Sequence, residues 1–540
     1  MAGVGEAAVQ VMTRAIERLR IPLLLLAFGL LFLVCGSQSS AAKSPLGPHG
    51  WAPGELPFQL SSKAVTAVLF VAYASGALAV LIGLMRPRLK HRWIVWVIVL
   101  AGLALLTAPM GSGDHTNYAA YGRIALQGGD PYTQSPHDWH GGLDPITASV
   151  QPPWQGTPSI YGPFATSLMA VSSWIGGDNL RQTVWIWQII IVAAWLGMRF
   201  VLLRLAQGDR AQGRVDVLWT FNPVVFGVLV LGAHVDVLAG MFACAALLAA
   251  RRDPFIAGLC VGACASTKVT YGVVALGLLW AWRGAVLRHP AWSGRPSAPP
   301  PTWQSRVRGL WAPLMAATGA RNHVFRMILG ALLIVVPCYV VAGPHVLRQL
   351  GAAGGSFSYA TPAAPIWQGL RHIMPEWAVG TVVFVLAASA MIAIAALLLK
   401  VSKRLDLGRR IPDATTRQAV VTTWALSTAY VLCAPYSLPW YDTLTWALLP
   451  LLVELAWDSV LVLRHLFMAL AYVPGRVLGL SPTVEDWTLG FRKNVVPWTG
   501  WLALIALVAI SQSRPLRRYA GAGLRRAGLR RTGTSRAASR

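Results

Sequence analysis

Long apolar runs alternate with short polar breaks along most of the chain, at roughly residues 21–36, 64–85, 93–110, 182–203, 215–231, 236–250, 254–266, 269–283, 326–342, 378–400, 418–434, 442–457, 459–477 and 495–512. A bilayer core about 30 Å thick is crossed by about 20 apolar residues in α-helix. The pattern therefore predicts an all-α polytopic membrane protein with about 14 transmembrane helices (13–15). A further apolar run, 161–177, decides the topology. If it spans, the loop carrying Arg204, Arg210 and Arg214 falls outside; if it lies in the outer interface, that loop falls inside. The interfacial assignment is preferred and puts both termini in the cytoplasm.

Composition sharpens this picture. The 540 residues are 55% hydrophobic and only 12% charged, with mean hydropathy +0.54, against about 25% charged in a soluble domain. The net charge of +26, from 46 Lys and Arg against 20 Asp and Glu, would suit a nucleic-acid binder only if a soluble basic face existed. On the 14-span arrangement about 36 of the 46 basic residues are cytoplasmic, and the outer side has about 10 basic against 11 acidic, as the positive-inside rule expects. The charge reports orientation in a plasma membrane, and no nucleic-acid partner is expected.

The chain then divides into a cytoplasmic segment 1–20, a transmembrane domain 21–512 and an Arg-rich cytoplasmic tail 513–540 expected to touch anionic lipid. Within the domain, 111–181 and 343–377 are outer loops, and 284–325 reads as a disordered basic linker around Arg295–Pro301. The first span reads as a retained anchor, because Leu33-Val34-Cys35 lacks the small residue of a lipoprotein cleavage site. All six cysteines sit in or at the ends of apolar segments, which predicts packing residues and no disulfide framework.

Candidate chemistry concentrates in the first outer loop. Gly111-Ser112-Gly113 ends a span, and Asp114 follows at a position suited to the N-cap of a new helix. Asn117, Tyr118 and Tyr121 stand three, four and seven residues on and share its face. Arg123, nine residues on, would point to the opposite side. Spacing alone favours a plain helix cap over a reactive carboxylate. A turn follows at Gly128-Gly129-Asp130-Pro131-Tyr132, and then Trp154 and Tyr161 lead into the interfacial helix. Rings beside carboxylates and amides suit a carbohydrate, which offers apolar C–H faces and many hydroxyls. A metal site built from His115, His137, Asp138 and His140 lacks convincing ligand spacing, so neither metal nor other cofactor is expected.

At this point the chain resembles the GT-C class of integral-membrane glycosyltransferases, and within it the bacterial polyprenol-phosphate-mannose-dependent α-(1→6)-mannosyltransferases that build lipoglycans. The resemblance rests on Asp114 opening the loop, Tyr118, Gly122-Arg123, Asp130-Pro131-Tyr132, Thr157-Pro158, Tyr161-Gly162-Pro163, Asn222-Pro223, Gly232-Ala233-His234-Val235-Asp236, Thr267-Lys268 and Pro439-Trp440-Tyr441 in that order. The family pattern has an aromatic two residues after the Asp, where this chain has Thr116. The resemblance implies a GT-C-type fold with extracytoplasmic interfacial helices. It also implies a polyprenyl-phosphate sugar donor, a glycolipid or glycan acceptor, and Asp114 as the general base of an inverting transfer.

A donor phosphate needs a cation. Lys268 is the first candidate, since its flanking runs are too short to lift it clear of the membrane and an intramembrane Lys is costly. Snorkelling to the headgroups is the alternative. Arg371 in the second outer loop and Arg123 are further candidates. His234 and Asp236 at an outer tip read either as a solvated turn or as an acceptor-binding site, and Trp440 and Tyr441 as interface anchors or a sugar wall. A transporter or flippase of a lipid-linked sugar would place its charges at mid-bilayer between inverted repeats; here the acids gather in one outer loop and no repeat is visible. A non-catalytic assembly partner is the third reading.

Overall fold

The computed structural model describes residues 2–85, 93–289, 302–347, 357–476 and 478–513. Among them there is no strand, and all fourteen apolar runs fall wholly or partly on helix. Among the described residues, eight segments are long and apolar enough to cross a membrane: Ile16–Gly36, Ser62–Met85, Leu180–Leu205, Asp209–Val230, Val269–Arg288, Thr318–Ala342, Glu376–Leu405 and Pro482–Gln512. Three shorter apolar helices, Ile94–Leu106, Asp236–Ala249 and Pro254–Thr267, pack among them. The chain is a multi-pass membrane protein.

We number the helices α1 (Ala2–Gly36), α2 (Ser62–Met85), α3 (Ile94–Leu106), α4 (Asp114–Leu126), α5 (Pro163–Gly176), α6 (Leu180–Leu205), α7 (Asp209–Val215), α8 (Asp236–Ala249), α9 (Pro254–Thr267) and α10 (Val273–Arg288). They continue as α11 (Trp303–Ala316), α12 (Thr318–Ala342), α13 (Ala363–Leu370), α14 (Glu376–Leu405), α15 (Ala414–Cys433), α16 (Thr443–Leu448), α17 (Trp457–Leu470), α18 (Pro482–Asn494) and α19 (Val496–Gln512).

Two features depart from the periodicity. The stretch 284–325 is not a linker throughout, because α11 and the start of α12 occupy its second half; the Pro-rich 295–301 and the tail from 514, with its expected lipid contact, lie outside the described residues. The run 215–231 is a broken helix. It passes through π turns at Asp216–Thr220 and Phe226–Val230, is interrupted at Asn222-Pro223, and is entirely buried. Pro223 has no N–H, and Asn222 caps the restart by accepting from Val224 N–H at 3.1 Å.

Small residues let backbones meet. Gly258 and Gly262 on α9 face α12, where a Cβ at Gly258 would lie 2.1 Å from the Met327 carbonyl oxygen, the close approach that small-xxx-small spacing permits. Gly122 does the same for α4 and α5, with Met169 O 2.3 Å from a would-be Cβ. At 14 residues α5 is about 21 Å long, short for a bilayer crossing. α6 also anchors the end of α3: Gln188 Nε2 donates to Ala104 O at 2.6 Å and Trp185 Nε1 to Leu105 O at 2.8 Å. These bonds satisfy carbonyls that a helix C-terminus leaves open, and they fix the point from which the chain enters the candidate site.

Candidate active site

From α3 the chain runs as a strap to α4. Met110 N–H donates to Leu231 O at 2.8 Å and Gly111 N–H to Ala42 O at 2.9 Å. Gly475 passes so near that a Cβ there would sit 2.4 Å from Gly111 Cα. The N-cap of α4 is Gly113, not Asp114, which is the first helical residue. Freed from capping, the Asp114 carboxylate stands at the positive end of the helix dipole with its side chain 13% exposed. Thr116 turns inward and donates from Oγ1 to Gly113 O at 2.8 Å.

Beside Asp114 stands His234. Its Nδ1 lies 3.3 Å from Asp114 Oδ2, and its Nε2 is 3.3 Å from Ser112 Oγ. The ring stacks on Trp440, with centroids 3.9 Å apart. Ala233 presents it from a left-handed turn, φ 51°, a strained geometry for a residue with a Cβ. Trp187 Nε1 pins that turn by donating to Ala233 O at 2.8 Å.

Lys268 does not snorkel. Its Nζ contacts Asp236 Oδ1 at 2.8 Å and lies 3.6 Å from the centre of the Tyr441 ring. Tyr271 O–H donates to the same Asp236 oxygen at 2.9 Å, while the other oxygen, Oδ2, has no hydrogen-bond partner among the described residues.

A cavity of about 440 Å³ brings together Asp114, Asn117, Tyr121, Trp154, Tyr161, Lys268, Trp440 and Tyr441. His234 and Asp236 support it from beneath. Tyr118 is buried behind the lining, its oxygen accepting from Val235 N–H at 3.4 Å and its ring 5.1 Å from that of Tyr161. Tyr121 donates to Thr157 O at 2.8 Å, and burial, followed by the Asp114 carboxylate, pushes its phenol above the usual range.

Other candidates stand elsewhere. Arg123 is on the far side of α4, paired with Asp144 at 3.0 Å and Asp178 at 2.6 Å. Asp130 accepts from Tyr132 N–H at 2.9 Å and meets His345 at 2.7 Å, while the Tyr132 hydroxyl bonds that of Thr166 at 2.9 Å. Arg371 is exposed past the end of α13 and stacks on Trp367. Neither Arg123 nor Arg371 lines the cavity. Among the described residues no three His, Cys, Asp or Glu side chains converge as a metal cluster.

Two lining cations were not anticipated. Arg476 donates from Nε to Gln151 Oε1 at 2.8 Å and from Nη1 to Ser40 O and Lys43 O. Arg492 on α18 donates to Ala471 O at 2.7 Å and packs over the Tyr472 ring. A buried cluster of Asp442, Arg464 and His465 anchors the Pro439–Asp442 turn that carries Trp440 and Tyr441.

Residues 24–284 match the family model described as "Alpha-(1->6)-mannopyranosyltransferase, N-terminal domain". A probable alpha-(1->6)-mannopyranosyltransferase of Mycolicibacterium smegmatis is 30% identical over 157 residues, 28% of this chain and 27% of that protein. Alpha-(1->6)-mannopyranosyltransferases A and B of Corynebacterium glutamicum are 27% and 30% identical over 179 and 150 residues; these cover 33% and 27% of this chain and 36% and 24% of theirs. In its amino-terminal half the chain is mannosyltransferase-like. It spans between 24% and 36% of the length of these three relatives, and no solved structure matches it. The mannosyltransferase-like half contains Asp114, His234, Asp236 and Lys268; the opposing wall of Trp440, Tyr441, Arg476 and Arg492 comes from beyond the matched region.

His115, next to the key carboxylate, is fully buried with neither ring nitrogen hydrogen-bonded among the described residues. Burial lowers its pKa to about 3, against the pull of Asp114. Between its unfolded value near 6.5 and about 3, the unfolded chain takes up the proton and the folded chain does not. Stability is therefore highest above pH 6.5 and declines as pH falls through that window. Thermal unfolding of the wild type should lose more stability between pH 7 and pH 4 than that of His115→Leu. Parallel pH profiles would contradict this burial.

Proposed function

We propose that this protein is an inverting glycosyltransferase moving mannose from a polyprenyl-phosphate donor to a lipid-linked glycan acceptor. The observation that carries the reading is one cavity holding both the Asp114 carboxylate and the Lys268 ammonium between aromatic walls. Mannose as the sugar and an α-(1→6) linkage follow the alpha-(1->6)-mannopyranosyltransferases that the chain resembles. The concentration of about 36 of the 46 basic residues on the other side of the 14-span arrangement, read with the positive-inside rule, supports an extracytoplasmic site.

In the reaction, Asp114 removes the proton of an acceptor hydroxyl. The oxygen attacks the anomeric carbon of the donor sugar, and the bond from that carbon to the phosphate oxygen breaks. The pair of electrons leaves with the polyprenyl phosphate, whose growing charge is met by Lys268, with Arg476 and Arg492 on the facing wall. Attack opposite the leaving group converts a β-linked donor into an α-linked product. His234, against Asp114 and locked on Trp440, orients the carboxylate.

A second crevice, about 290 Å³, supports a lipid donor. Leu276 of α10, Met391, Ile392 and Ala395 of α14, and Leu426 of α15 line it, and it ends at Asp236 and Tyr441. Tyr441 thus borders both spaces. Ile392 and Leu276 are 72% and 50% exposed, so the crevice opens sideways to the acyl chains. It suits a polyprenyl tail whose phosphate reaches Lys268. Ala395→Trp fills it. Losing burial of two or more CH₂ groups, each about 0.8 kcal/mol, should raise KM for a long-chain donor about tenfold and leave a truncated, short-chain donor unchanged. An equal effect on both donors would contradict binding of the polyprenyl tail in this crevice.

A further inference from the structure

A second cavity, of about 630 Å³, lies at the opposite end of the bundle. α8 begins at Asp236, beside the candidate site, and reaches this cavity at Leu247, a helix about 21 Å long. α10 likewise starts just past Lys268 and arrives with Trp282 and Val286. The floor is apolar, formed by Leu247, Leu278, Trp282 and Val286, while Arg251, His289 and His323 line its polar side. His323 packs against Trp282 with ring centroids 5.6 Å apart. α12 and α15 both begin at this cavity. Asp413, the carboxylate among the lining residues, is occupied as the N-cap of α15, accepting from Thr416 N–H at 2.5 Å. The first turn of α12, in contrast, has no side-chain cap.

An apolar pocket beneath an arginine and two imidazoles, set at helix ends where a bilayer's headgroups lie, matches an amphiphile with an anionic head. Basic pockets between transmembrane helices take phosphate headgroups in this way. We propose that this cavity binds one acidic phospholipid, its phosphate at Arg251 and His323 and its first acyl carbons over Leu278 and Trp282. A free inorganic anion would gain nothing from that floor. The proposal is independent of the sugar-transfer reading, since the cavity shares no lining residue with the Asp114 site.

The test is native mass spectrometry of the purified full chain titrated with phosphatidylglycerol, with phosphatidylcholine and inorganic phosphate as separate arms. One phosphatidylglycerol should bind per chain, tighter than phosphatidylcholine. The double variant Arg251→Gln, His323→Gln should weaken it about five- to tenfold, the scale of one cation near a lipid phosphate. Gly319→Phe gives a second approach: a Cβ there meets nothing within 4 Å, so the ring fills the cavity without a backbone clash. It should abolish the tight site, whereas lipid held by the Arg-rich tail would survive it. Asp114→Asn should bind as the wild type does. Equal affinity for both phospholipids, wild-type binding by Gly319→Phe, or displacement by millimolar inorganic phosphate would each overturn the proposal.

Discussion

Asp114→Asn should lower sugar transfer by about 10²–10⁴-fold, the contribution of a positioned general base, while the folded protein accumulates normally. The amide keeps the size and shape of the carboxylate, and Asp114 caps nothing: Gly113 is the N-cap, and the Asp114 N–H has its own partner in Ser112 Oγ at 3.2 Å. The substitution therefore removes a proton acceptor and leaves packing intact. Transfer in membranes from a labelled polyprenyl-phosphate sugar, normalised to protein level, is the measurement. A transporter or flippase would lose no transfer chemistry here, and unchanged transfer would exclude Asp114 as the base.

Lys268→Gln should cost both stability and activity, and the two losses are separable. The single variant strands the Asp236 carboxylate, which is fully buried and has Tyr271 as its other donor. Removing one partner of a buried pair costs about 3–5 kcal/mol, read as a lower unfolding temperature in detergent. Adding Asp236→Asn removes the stranded charge, so the double variant should recover most of that stability. Activity should stay down by about 10²–10³-fold, because the cation facing the leaving phosphate is still missing. Recovery of transfer along with stability would reduce Lys268 to a structural role.

The periodicity disclosed the helices because membrane spans are selected by continuous apolar length, a local property. It placed Asn117 and Tyr121 with Asp114 and sent Arg123 to the far side of α4 for the same reason: 3.6 residues per turn fixes both. Helix ends are less legible. Asp114 resembles a cap in sequence, yet the strap held by Leu231 and Ala42 puts the boundary one residue earlier. The broken segment within 215–231 reads as one apolar run because π turns leave no mark in hydropathy.

Arg476 was hidden for a different reason. The run 459–477 is apolar through to Pro474-Gly475, and that pair was the available sign that the helix had ended; α17 in fact stops at Leu470. Its approach to Gln151, 325 residues away, is a tertiary fact that no spacing encodes. Arg371 shows the converse: its place in the second outer loop made it a candidate for the donor phosphate, but it stacks on Trp367 and does not line the cavity.

Asp114 and Lys268 line one cavity, the first as base and the second as phosphate cation of the proposed inverting transfer. The most direct measurement is the anomeric configuration of the product, by NMR, when purified protein is given a β-linked polyprenyl-phosphate mannose and a glycolipid acceptor. An α-linked mannose that disappears with Asp114→Asn is the predicted result. A β-linked product, or an α-linked one formed equally well without the Asp114 carboxylate, would contradict it.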